Sequence, residues 1–353
     1  MGGIILRIER DVQKHKKYQG DDMKVGIVGI GAVGTEMVKV LRQREFPCDE
    51  IRIMARTERD QEVAGETFHV VETKPESFDG LDFAFFAGTE GATGASQQYG
   101  WEAVKRGVTV IDNGSDFRMD DRVPLVVPEV NGDALKNHQG FIANPNCSTI
   151  IAMMALGPLH KVARIRRIVA STYQAVSGTG RNAITELENQ IKQYAAGEEI
   201  TSEVYPHQIL LNVLPQIGGL QANMPGYTSE EAKMLFETRK ILQDDEIKVS
   251  TTCVRVPVFY GHAEAINIEF DRKVTPEEAR EVLNAAQGIQ VIDNPDKAEY
   301  PLPLNVAGKD DCLVGRIRPD ESTENGLALF VAGDNIRKGA AQNAVQIAEY
   351  LIK

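Results

Sequence analysis

One cysteine stands where a reactive thiol is expected. The sequence over 144–149 is NPNCST, and an apolar series with helical spacing follows it. Because Pro145 breaks the preceding extended segment, Cys147 should lie in the first turn of a helix, where backbone N–H groups and the helix dipole favour thiolate over thiol. A nucleophilic cysteine needs that ionised form near neutral pH. The other cysteines are interpreted as buried structural thiols: Cys48, Cys253 and Cys312.

A cysteine nucleophile also needs an acid/base partner, and His262 is the candidate among six histidines. It follows Gly261 at the end of an extended run, and glycine there is typical of close backbone approach. A turn over 259–261 would bring Arg255 and His262 together at one end of a sheet. The alternative is a strand-end histidine that bonds Glu264, and the sequence leaves both interpretations open.

A second group of residues indicates a cofactor. The sequence over 29–34 is GIGAVG, preceded by an apolar strand pattern and followed by a helical one. This is the context of a dinucleotide-binding turn, in which the first glycine permits the turn, the second lets backbone approach a pyrophosphate, and the third allows close helix–strand packing. The predicted cofactor-binding residues here are Gly29, Ile30, Gly31, Ala32, Val33 and Gly34.

The end of the second strand distinguishes NAD from NADP. In NAD-binding proteins an acidic residue at this place hydrogen-bonds the ribose 2′-OH, whereas this sequence has Arg56 and Thr57. An arginine and a hydroxyl suit a 2′-phosphate, so the sequence favours NADP. The alternative is that Arg56 and Arg59 belong to a solvated loop.

The elements that must position these residues change character along the chain. Apolar strand patterns alternating with helices predict a parallel, doubly wound sheet in the first part. The strand patterns are 24–29, 51–54, 81–87 and 108–111, with a helix at 96–106. Later strands are longer and β-branched, at 168–173, 249–258 and 265–270, with helices at 183–195, 229–242, 276–287 and 337–351. The second and third of these helices open with capping boxes, Thr228 with Glu231 and Thr275 with Glu278. The fold class is therefore α/β, a Rossmann-type domain followed by an α+β domain.

Composition excludes several kinds of partner. The 353 residues carry 39 Lys+Arg against 51 Asp+Glu, a net charge of -12, which repels nucleic acid and anionic membrane. No apolar run approaches the ~20 residues that span a bilayer. Four scattered cysteines without a C-x-x-C pair indicate reduced thiols in the cytoplasm and no metal site. Residues 1–22 are interpreted as a polar extension.

Six segments, taken in order, resemble the bacterial branch of the aspartate-β-semialdehyde dehydrogenases. They are 29–34, 112–118, 144–149, 171–178, 255–262 and 333–335. The resemblance runs from about residue 23 to the C-terminus. It implies a glyceraldehyde-3-phosphate-dehydrogenase-like fold with an NADP-binding domain over 23–146 plus 334–353 and a catalytic and dimerisation domain over 147–333. It also implies a homodimer.

The resemblance further implies an activity. Such enzymes reduce L-4-aspartyl phosphate with NADPH to L-aspartate 4-semialdehyde and phosphate, reversibly, through a cysteine thioester. This reaction serves lysine (through diaminopimelate), methionine and threonine biosynthesis. Cys147 matches the nucleophile, His262 the acid/base and Gln174 the residue that orients the acyl group.

Residues for a small, highly charged substrate are carried over in the same way. Arg255 matches the residue that binds the α-carboxylate, and Glu230 the one that meets the α-ammonium. The phosphate-binding residues are Arg118, Lys233 and Asn146, and further residues near the cofactor are Ser177, Gly178 and Asn335. Taken without the resemblance, Glu230 and Lys233 at i and i+3 would be a solvated helix face, and Gln174 could simply bond a neighbouring loop.

Three other functions stay open at this point. An N-acetyl-glutamyl-phosphate reductase would share the chemistry, but an acetylated amine is uncharged and gives Glu230 nothing to pair with. A non-enzymatic dinucleotide-binding redox sensor could use Cys147 as its switch, but would not need Gln174, Arg255 or His262. A thiol hydrolase is less economical, because a dinucleotide turn beside a Cys–His pair favours hydride transfer.

Overall fold

The computed structural model describes residues 23–88 and 91–353, so the expected extension 1–22 lies outside the described residues. The chain divides into two compact units. Among the described residues, unit 1 comprises those from Met23 to Pro128, Gly132–Asn144 and Ala341–Lys353, and unit 2 comprises Glu129–Asn131 and Pro145–Ala340. The division that the sequence predicts, at 146/147 and 333/334, stays a prediction.

The described strands and helices are numbered in chain order. The strands are β1 (Lys24–Val28), β2 (Glu50–Ala55), β3 (Arg59–Val63), β4 (Glu66–Glu72), β5 (Phe83–Phe86), β6 (Thr109–Asp112), β7 (Phe141–Ala143), β8 (Ile165–Gln174), β9 (Leu220–Gln221), β10 (Met224–Thr228), β11 (Lys248–Arg255), β12 (His262–Phe270), β13 (Ile289–Val291), β14 (Cys312–Pro319) and β15 (Gly326–Gly333). The helices are α1 (Ala32–Gln43), α2 (Ala95–Lys105), α3 (Pro128–Asn131), α4 (Cys147–Val162), α5 (Arg181–Ala196), α6 (Ser229–Leu242), α7 (Pro276–Asn284), α8 (Pro303–Val306) and α9 (Gln342–Ile352). None of the helices in the described ranges is both long and apolar enough to cross a bilayer.

Unit 1 is built on one sheet with the strand order β3-β4-β2-β1-β5-β6-β7. All neighbouring pairs are parallel except β3 with β4. The apolar runs of β1 and β5 are buried throughout or nearly so, as expected for strands covered on both faces. The α/β fold class and the parallel sheet are thus confirmed. The β3–β4 hairpin was not predicted, because β3 has the sequence RDQEV, which lacks an apolar pattern.

Unit 2 is built on a sheet with the order β11-β8-β12-β15-β14-β13. Helix α4 packs against β8, β12 and β15, while α6 packs against β11. Most of α4 is buried because its sequence is apolar all round, which is typical of a helix enclosed in a core. The expected α+β character of this region is confirmed.

The helix ends show where local patterns were right and where they were not. The capping box of Thr228 and Glu231 is complete: the Thr228 amide donates to the Glu231 carboxylate, and the Glu231 amide donates to the Thr228 hydroxyl. At α7 only half of the expected box forms: Thr275 accepts from the Glu278 amide, but the Glu278 carboxylate bonds Arg272 instead. Helix α7 also ends at Asn284, before the expected 287. The expected last helix begins as a π-turn, Arg337–Ala341, before α9.

Candidate active site

Cys147 is the first residue of α4 and so lies in the first turn, as the sequence predicted, and its side chain is half-buried. The preceding residue, Asn146, caps the helix: its Oδ1 accepts from the amides of Ser148 at 3.0 Å and Thr149 at 3.3 Å. Such a cap fixes the first turn and stabilises the helix by about 1 kcal/mol. The thiol therefore sits at a rigid helix N-terminus, the position that favours its ionisation.

A buried carboxylate connects this helix start to the end of β8. The Glu230 Oε1 accepts from Asn146 Nδ2 at 2.9 Å and from Gln174 Nε2 at 3.0 Å. Gln174 Oε1 in turn accepts from Thr172 Oγ1 at 2.9 Å. Glu230 and Gln174 are 7% and 1% exposed, so neither the solvated-face nor the loop-bonding interpretation describes them.

Charge at Glu230 is maintained by its neighbours. Burial opposes ionisation, but Lys233, with its Nζ 3.5 Å from Oε2, together with the bonds from Asn146 and Gln174 and the nearby Arg255, holds the pKa of Glu230 below its usual value. The carboxylate is therefore anionic at neutral pH. It can meet an ammonium group, and it orients two amide side chains at the same time.

Arg255 and His262 converge, as expected for a turn over 259–261. Arg255 ends β11, His262 begins β12, and both strands flank β8. Arg255 Nη1 donates to the Ala175 carbonyl at 2.7 Å, while the Ala175 amide donates to His262 Nδ1 at 3.0 Å. A Cβ added to Gly178 would lie 2.9 Å from Arg255 Nη1 and 3.2 Å from His262 Nε2, so these two side chains meet at this glycine.

The alternative partner for His262 is not found. Among the described residues, neither His262 Nε2 nor the carboxylate oxygens of Glu264 have a hydrogen-bond partner, although both residues are fully buried. Burial and the Arg255 charge lower the pKa of His262 well below its usual value. Burial, with a contribution from Glu230, raises the pKa of Glu264 well above the usual value.

The residues expected near the cofactor within unit 2 are linked to each other. Ser177 and Asn335 are hydrogen-bonded through their side chains at 3.0 Å, and Asn335 Oδ1 also accepts from the Gly261 amide at 3.1 Å. The Asn335 side chain therefore ties the loop that carries Ser177 and Gly178 to the residue before His262. We refer to Asn146, Cys147, Gln174, Glu230, Lys233, Arg255 and His262 as the unit 2 cluster.

Sequence reasoning missed two residues of this region. Glu237 accepts from the Asn146 amide at 2.7 Å, and its i+7 spacing from Glu230 on α6 could have indicated it. Gly339 lies in the π-turn, and a Cβ there would be 3.0 Å from Cys147 Cβ. The only local signal for Gly339 was the glycine itself.

In unit 1 the glycine turn has the expected form. Gly29 has φ +97°, and a Cβ there would lie 2.9 Å from the Ala87 carbonyl oxygen. A Cβ on Gly34 would lie 2.0 Å from the Gly29 carbonyl oxygen, so that backbone contact requires glycine. Gly31 is exposed, precedes α1 and has open space around its Cβ position. Ile30 packs on the core of unit 1.

The remaining predicted residues of unit 1 are spread out. Arg56 and Thr57 are exposed and follow β2 directly, while Arg59 donates to the Thr57 carbonyl at 2.8 Å. Arg118 is 5% exposed and donates to the carbonyls of Asn144 at 3.0 Å and Asn113 at 2.7 Å. Within residues 23–88 and 91–353, no group of three or more His, Cys, Asp or Glu side chains could hold a metal ion.

Comparison with known proteins identifies the family. Residues 24–138 match the family model described as semialdehyde dehydrogenase, NAD binding domain, and residues 156–338 match semialdehyde dehydrogenase, dimerisation domain. An aspartate-semialdehyde dehydrogenase of Aquifex aeolicus is 51% identical over 338 residues, covering 94% of this chain and 98% of that protein. One of Bacillus subtilis is 44% identical over 346 residues, covering 95% and 99%.

Solved structures agree with the sequence comparison. A crystal structure of aspartate semialdehyde dehydrogenase II from Vibrio cholerae, complexed with ASA, superposes with a TM-score of 0.88 at 42% identity and covers 94% of this chain and 98% of that chain. A probable aspartate-semialdehyde dehydrogenase from Pseudomonas aeruginosa gives a TM-score of 0.85 at 26% identity, with 94% and 99% covered. The chain therefore belongs to the aspartate-semialdehyde dehydrogenase family of oxidoreductases, as its six ordered segments predicted.

Proposed function

We propose that this protein catalyses the reversible, NADP-dependent reductive dephosphorylation of L-4-aspartyl phosphate to L-aspartate 4-semialdehyde through a thioester on Cys147. The observation that carries the proposal is the hydrogen-bonded connection from the Cys147 helix start through Asn146 to Glu230 and Gln174. In it the buried Glu230 carboxylate bonds the residue that precedes Cys147 and the Gln174 amide, and Gln174 pairs with Arg255 in the strand register. This arrangement supports a cysteine nucleophile next to groups that suit the substrate.

The chemistry begins at the helix N-terminus. The Cys147 thiolate attacks the acyl carbon of the aspartyl phosphate, the bond from that carbon to the phosphate oxygen breaks, and phosphate leaves. A thioester accepts hydride more readily than a carboxylate does, which gives the covalent step its purpose. NADPH, when bound, supplies the hydride that converts the thioester into a hemithioacetal. Cleavage of the C–S bond then releases the aldehyde and returns the thiolate.

The charges of the unit 2 cluster suit the ends of the substrate. The planar Arg255 guanidinium can bind the α-carboxylate with two hydrogen bonds. Glu230, kept anionic by Lys233 and two amides, can pair with the α-ammonium. Gln174 orients the acyl group, and His262 serves the acyl oxygen as acid/base. Lys233, Arg118 and Asn146 are proposed for the phosphate.

The turn of unit 1 fits a dinucleotide. Its glycines leave the backbone accessible at Gly31, ahead of the α1 N-terminus, where N–H groups and the helix dipole suit a pyrophosphate. Arg56 and Thr57 are proposed for the 2′-phosphate, and Ser177, Gly178 and Asn335 for the nicotinamide end. The exposure of Arg56 and Thr57 supports the first assignment.

Several wider expectations belong to the same proposal. The reaction would serve lysine, methionine and threonine biosynthesis. The match of unit 2 to a dimerisation domain supports a homodimer. A cytoplasmic location is supported by Cys48, Cys253 and Cys312, which are free thiols rather than disulfides.

An omission assay tests the proposal. With aspartate semialdehyde, NADP and phosphate together, we expect NADPH absorbance to rise, and with any one omitted we expect none. Arsenate should replace phosphate, because it can accept the acyl group from the thioester. Activity with an N-acetylated glutamyl substrate but not with the free-amine one would instead favour the related reductase. NADP binding without turnover would favour the redox sensor.

A further inference from the structure

The π-turn Arg337–Ala341, which precedes α9, contacts the cysteine at the start of α4. Its third residue is Gly339, and a Cβ there would lie 3.0 Å from Cys147 Cβ and 3.3 Å from Cys147 Cα. The glycine backbone therefore lies directly against Cys147, with no side chain between them. Turns of this kind are rare and occur frequently at functional sites. The contact limits where the Cys147 side chain can lie.

Asp334 fixes the entry to this turn. Its Oδ1 accepts from the amides of Ile336 at 2.8 Å and Arg337 at 3.0 Å, and its Oδ2 accepts from the Gly308 amide at 2.6 Å. The Asp334 carbonyl oxygen accepts from the Gly339 amide at 2.9 Å. Gly339 is thus held by a residue that three other amides hold in place.

Two consecutive cations hold the turn through their side chains. Arg337 donates to Asp310 Oδ1 through Nε at 3.0 Å and Nη2 at 2.6 Å, and Lys338 Nζ donates to Glu129 Oε2 at 2.7 Å. The Lys338 side chain is 1% exposed and that of Glu129 is 9% exposed. These two residues are 209 positions apart, and both belong to unit 2. No step of the proposed reaction uses this ion pair.

A buried ion pair of this kind is better explained by geometry than by stability. Taking two charges out of water is costly, and well-packed apolar residues often stabilise a protein as much as a buried pair does. A hydrogen bond between charged groups is, however, short and directional. The pair of Lys338 and Glu129 therefore specifies one position for the turn. Because Gly339 is the next residue, it also specifies where the backbone meets Cys147.

We propose that the π-turn sets the position of the Cys147 side chain, with Gly339 as the contact and the buried pair of Lys338 and Glu129 as the anchor. This rests on the proposed function, since it assigns these residues to the nucleophile of that reaction. All three are positioning residues that act through Cys147. A nucleophile must meet the acyl carbon in a defined geometry, and a displacement of about 1 Å can lower a rate by about 10²-fold.

An added methyl group at the contact tests this role. In Gly339→Ala the Cys147 side chain must move by a few tenths of an ångström. We expect kcat to fall about tenfold, while KM for the semialdehyde and for NADP stays within about twofold. Gly219→Ala is the matched control, because a Cβ there meets no atom within 4 Å. Equal kcat values for the two variants would overturn the inference.

Loss of the anchor should act through the same contact. We expect Lys338→Met to lower kcat about tenfold in the unmodified chain but less than about threefold in Gly339→Ala, where Cys147 is already displaced. Arg280→Met, which breaks a partly buried ion pair of α7, is the control and should lower the melting temperature without lowering kcat. Additive losses, or lower stability with kcat unchanged, would contradict the anchoring role. Glu129→Gln, which keeps an acceptor for the ammonium, replaces Lys338→Met if that variant does not fold.

NMR of protein that is isotope-labelled at the cysteine Cβ separates this inference from the proposed function. The spectrum of Cys147→Ala identifies the Cys147 signal. We expect that signal to shift in Gly339→Ala and Lys338→Met and to stay in place in Gly219→Ala and Arg280→Met. A Cys147 signal that stays in place in all four variants would overturn the inference even in a fully active enzyme. Absence of turnover in the unmodified protein, with the expected shifts present, would instead contradict the proposed function.

Discussion

The glycine turn of unit 1 and the unit 2 cluster solve the problem of placing functional groups in opposite ways. The turn is made of backbone: Gly29 and Gly34 are required because main-chain atoms approach to distances that a Cβ would not allow. The cluster is made of side chains, most of them buried, and Glu230 is bonded by partners from two other segments. The turn should therefore respond to added volume, whereas the cluster should respond to lost charge or lost hydrogen bonds.

The largest effect should come from the nucleophile. Cys147→Ala removes the atom that forms the thioester, and we expect turnover to fall by at least about 10⁴-fold, as for other covalent nucleophiles. NADP binding should be retained, because the glycine turn belongs to unit 1. Cys48→Ala is the control, since burial raises the pKa of the Cys48 thiol and that variant should stay active. NADPH formation and equilibrium binding measure the two properties, and residual turnover in Cys147→Ala would contradict the covalent route.

The next effect tests charge within the cluster. Glu230→Gln keeps an acceptor for Asn146 and Gln174 but loses the negative charge. A charged hydrogen bond contributes roughly 1.5–3 kcal/mol, so KM for the semialdehyde should rise by roughly ten- to 100-fold. Glu188→Gln on α5, where the side chain is exposed, is the control and should leave KM unchanged. Steady-state kinetics that show the same KM for both variants would remove Glu230 from substrate binding.

The matching test of the backbone-built turn is an added methyl group. In Gly34→Ala the new Cβ would lie 2.0 Å from the Gly29 oxygen, so the turn must open. Overpacking of this kind costs about 1–3 kcal/mol, and we expect a lower melting temperature and weaker NADP binding. Gly31→Ala meets no atom within 4 Å and should melt like the unmodified protein. Equal melting temperatures for the two variants would show that the turn does not depend on close backbone contact.

A smaller effect is expected at the exposed end of the cofactor site. Arg56→Asp would repel a 2′-phosphate, and we expect kcat/KM for NADP relative to NAD to fall by about tenfold, or roughly 1.4 kcal/mol. Arg59→Asp is the comparison, because the Arg59 guanidinium is already bonded to Thr57 and Gln61. If kcat/KM for NADP relative to NAD changed only in Arg59→Asp, Arg59 rather than Arg56 would be the residue that recognises the 2′-phosphate.

The smallest effect on turnover should come from substituting Glu264, which should instead change how the free energy of unfolding depends on pH. Its pKa is raised in the folded chain, so the unfolded chain releases this proton at lower pH. The free energy of unfolding therefore falls as pH rises from the usual carboxyl value towards the raised one. Glu264→Gln cannot ionise and should gain stability relative to the unmodified protein as pH rises. Denaturant unfolding at acid and alkaline pH checks this, and a pH-independent difference would contradict it.

The same contrast explains what could be predicted from sequence. The turn depends on residues within a few positions of each other, so the spacing of Gly29, Gly31 and Gly34 was sufficient. The start of α4 at Cys147 was predicted for the same reason. The hydrogen-bond partners of Glu230 lie far away in the sequence, Asn146 by 84 positions and Gln174 by 56. A local sequence pattern contains no information about contacts at such separations. Only the family resemblance placed those residues together.

Other features depended on competition between partners. Only one of the two hydrogen bonds predicted for the capping box of Thr275 and Glu278 forms, because Arg272 binds the Glu278 carboxylate. A capping pattern contains no information about such a competitor. The contact of Gly339 with Cys147 was missed because it joins positions far apart in the chain. The β3–β4 hairpin was missed because its outer strand is polar.

That hairpin has a consequence for the behaviour of the protein at high concentration. The seven-strand sheet of unit 1, as far as the described residues show it, ends at β3, where Arg59 and Asp60 are exposed. Side chains of this kind discourage a neighbouring molecule from adding a strand to an open sheet border. Replacing them with valine or threonine would leave an exposed edge strand that can pair with another molecule, and aggregation would then compete with folding.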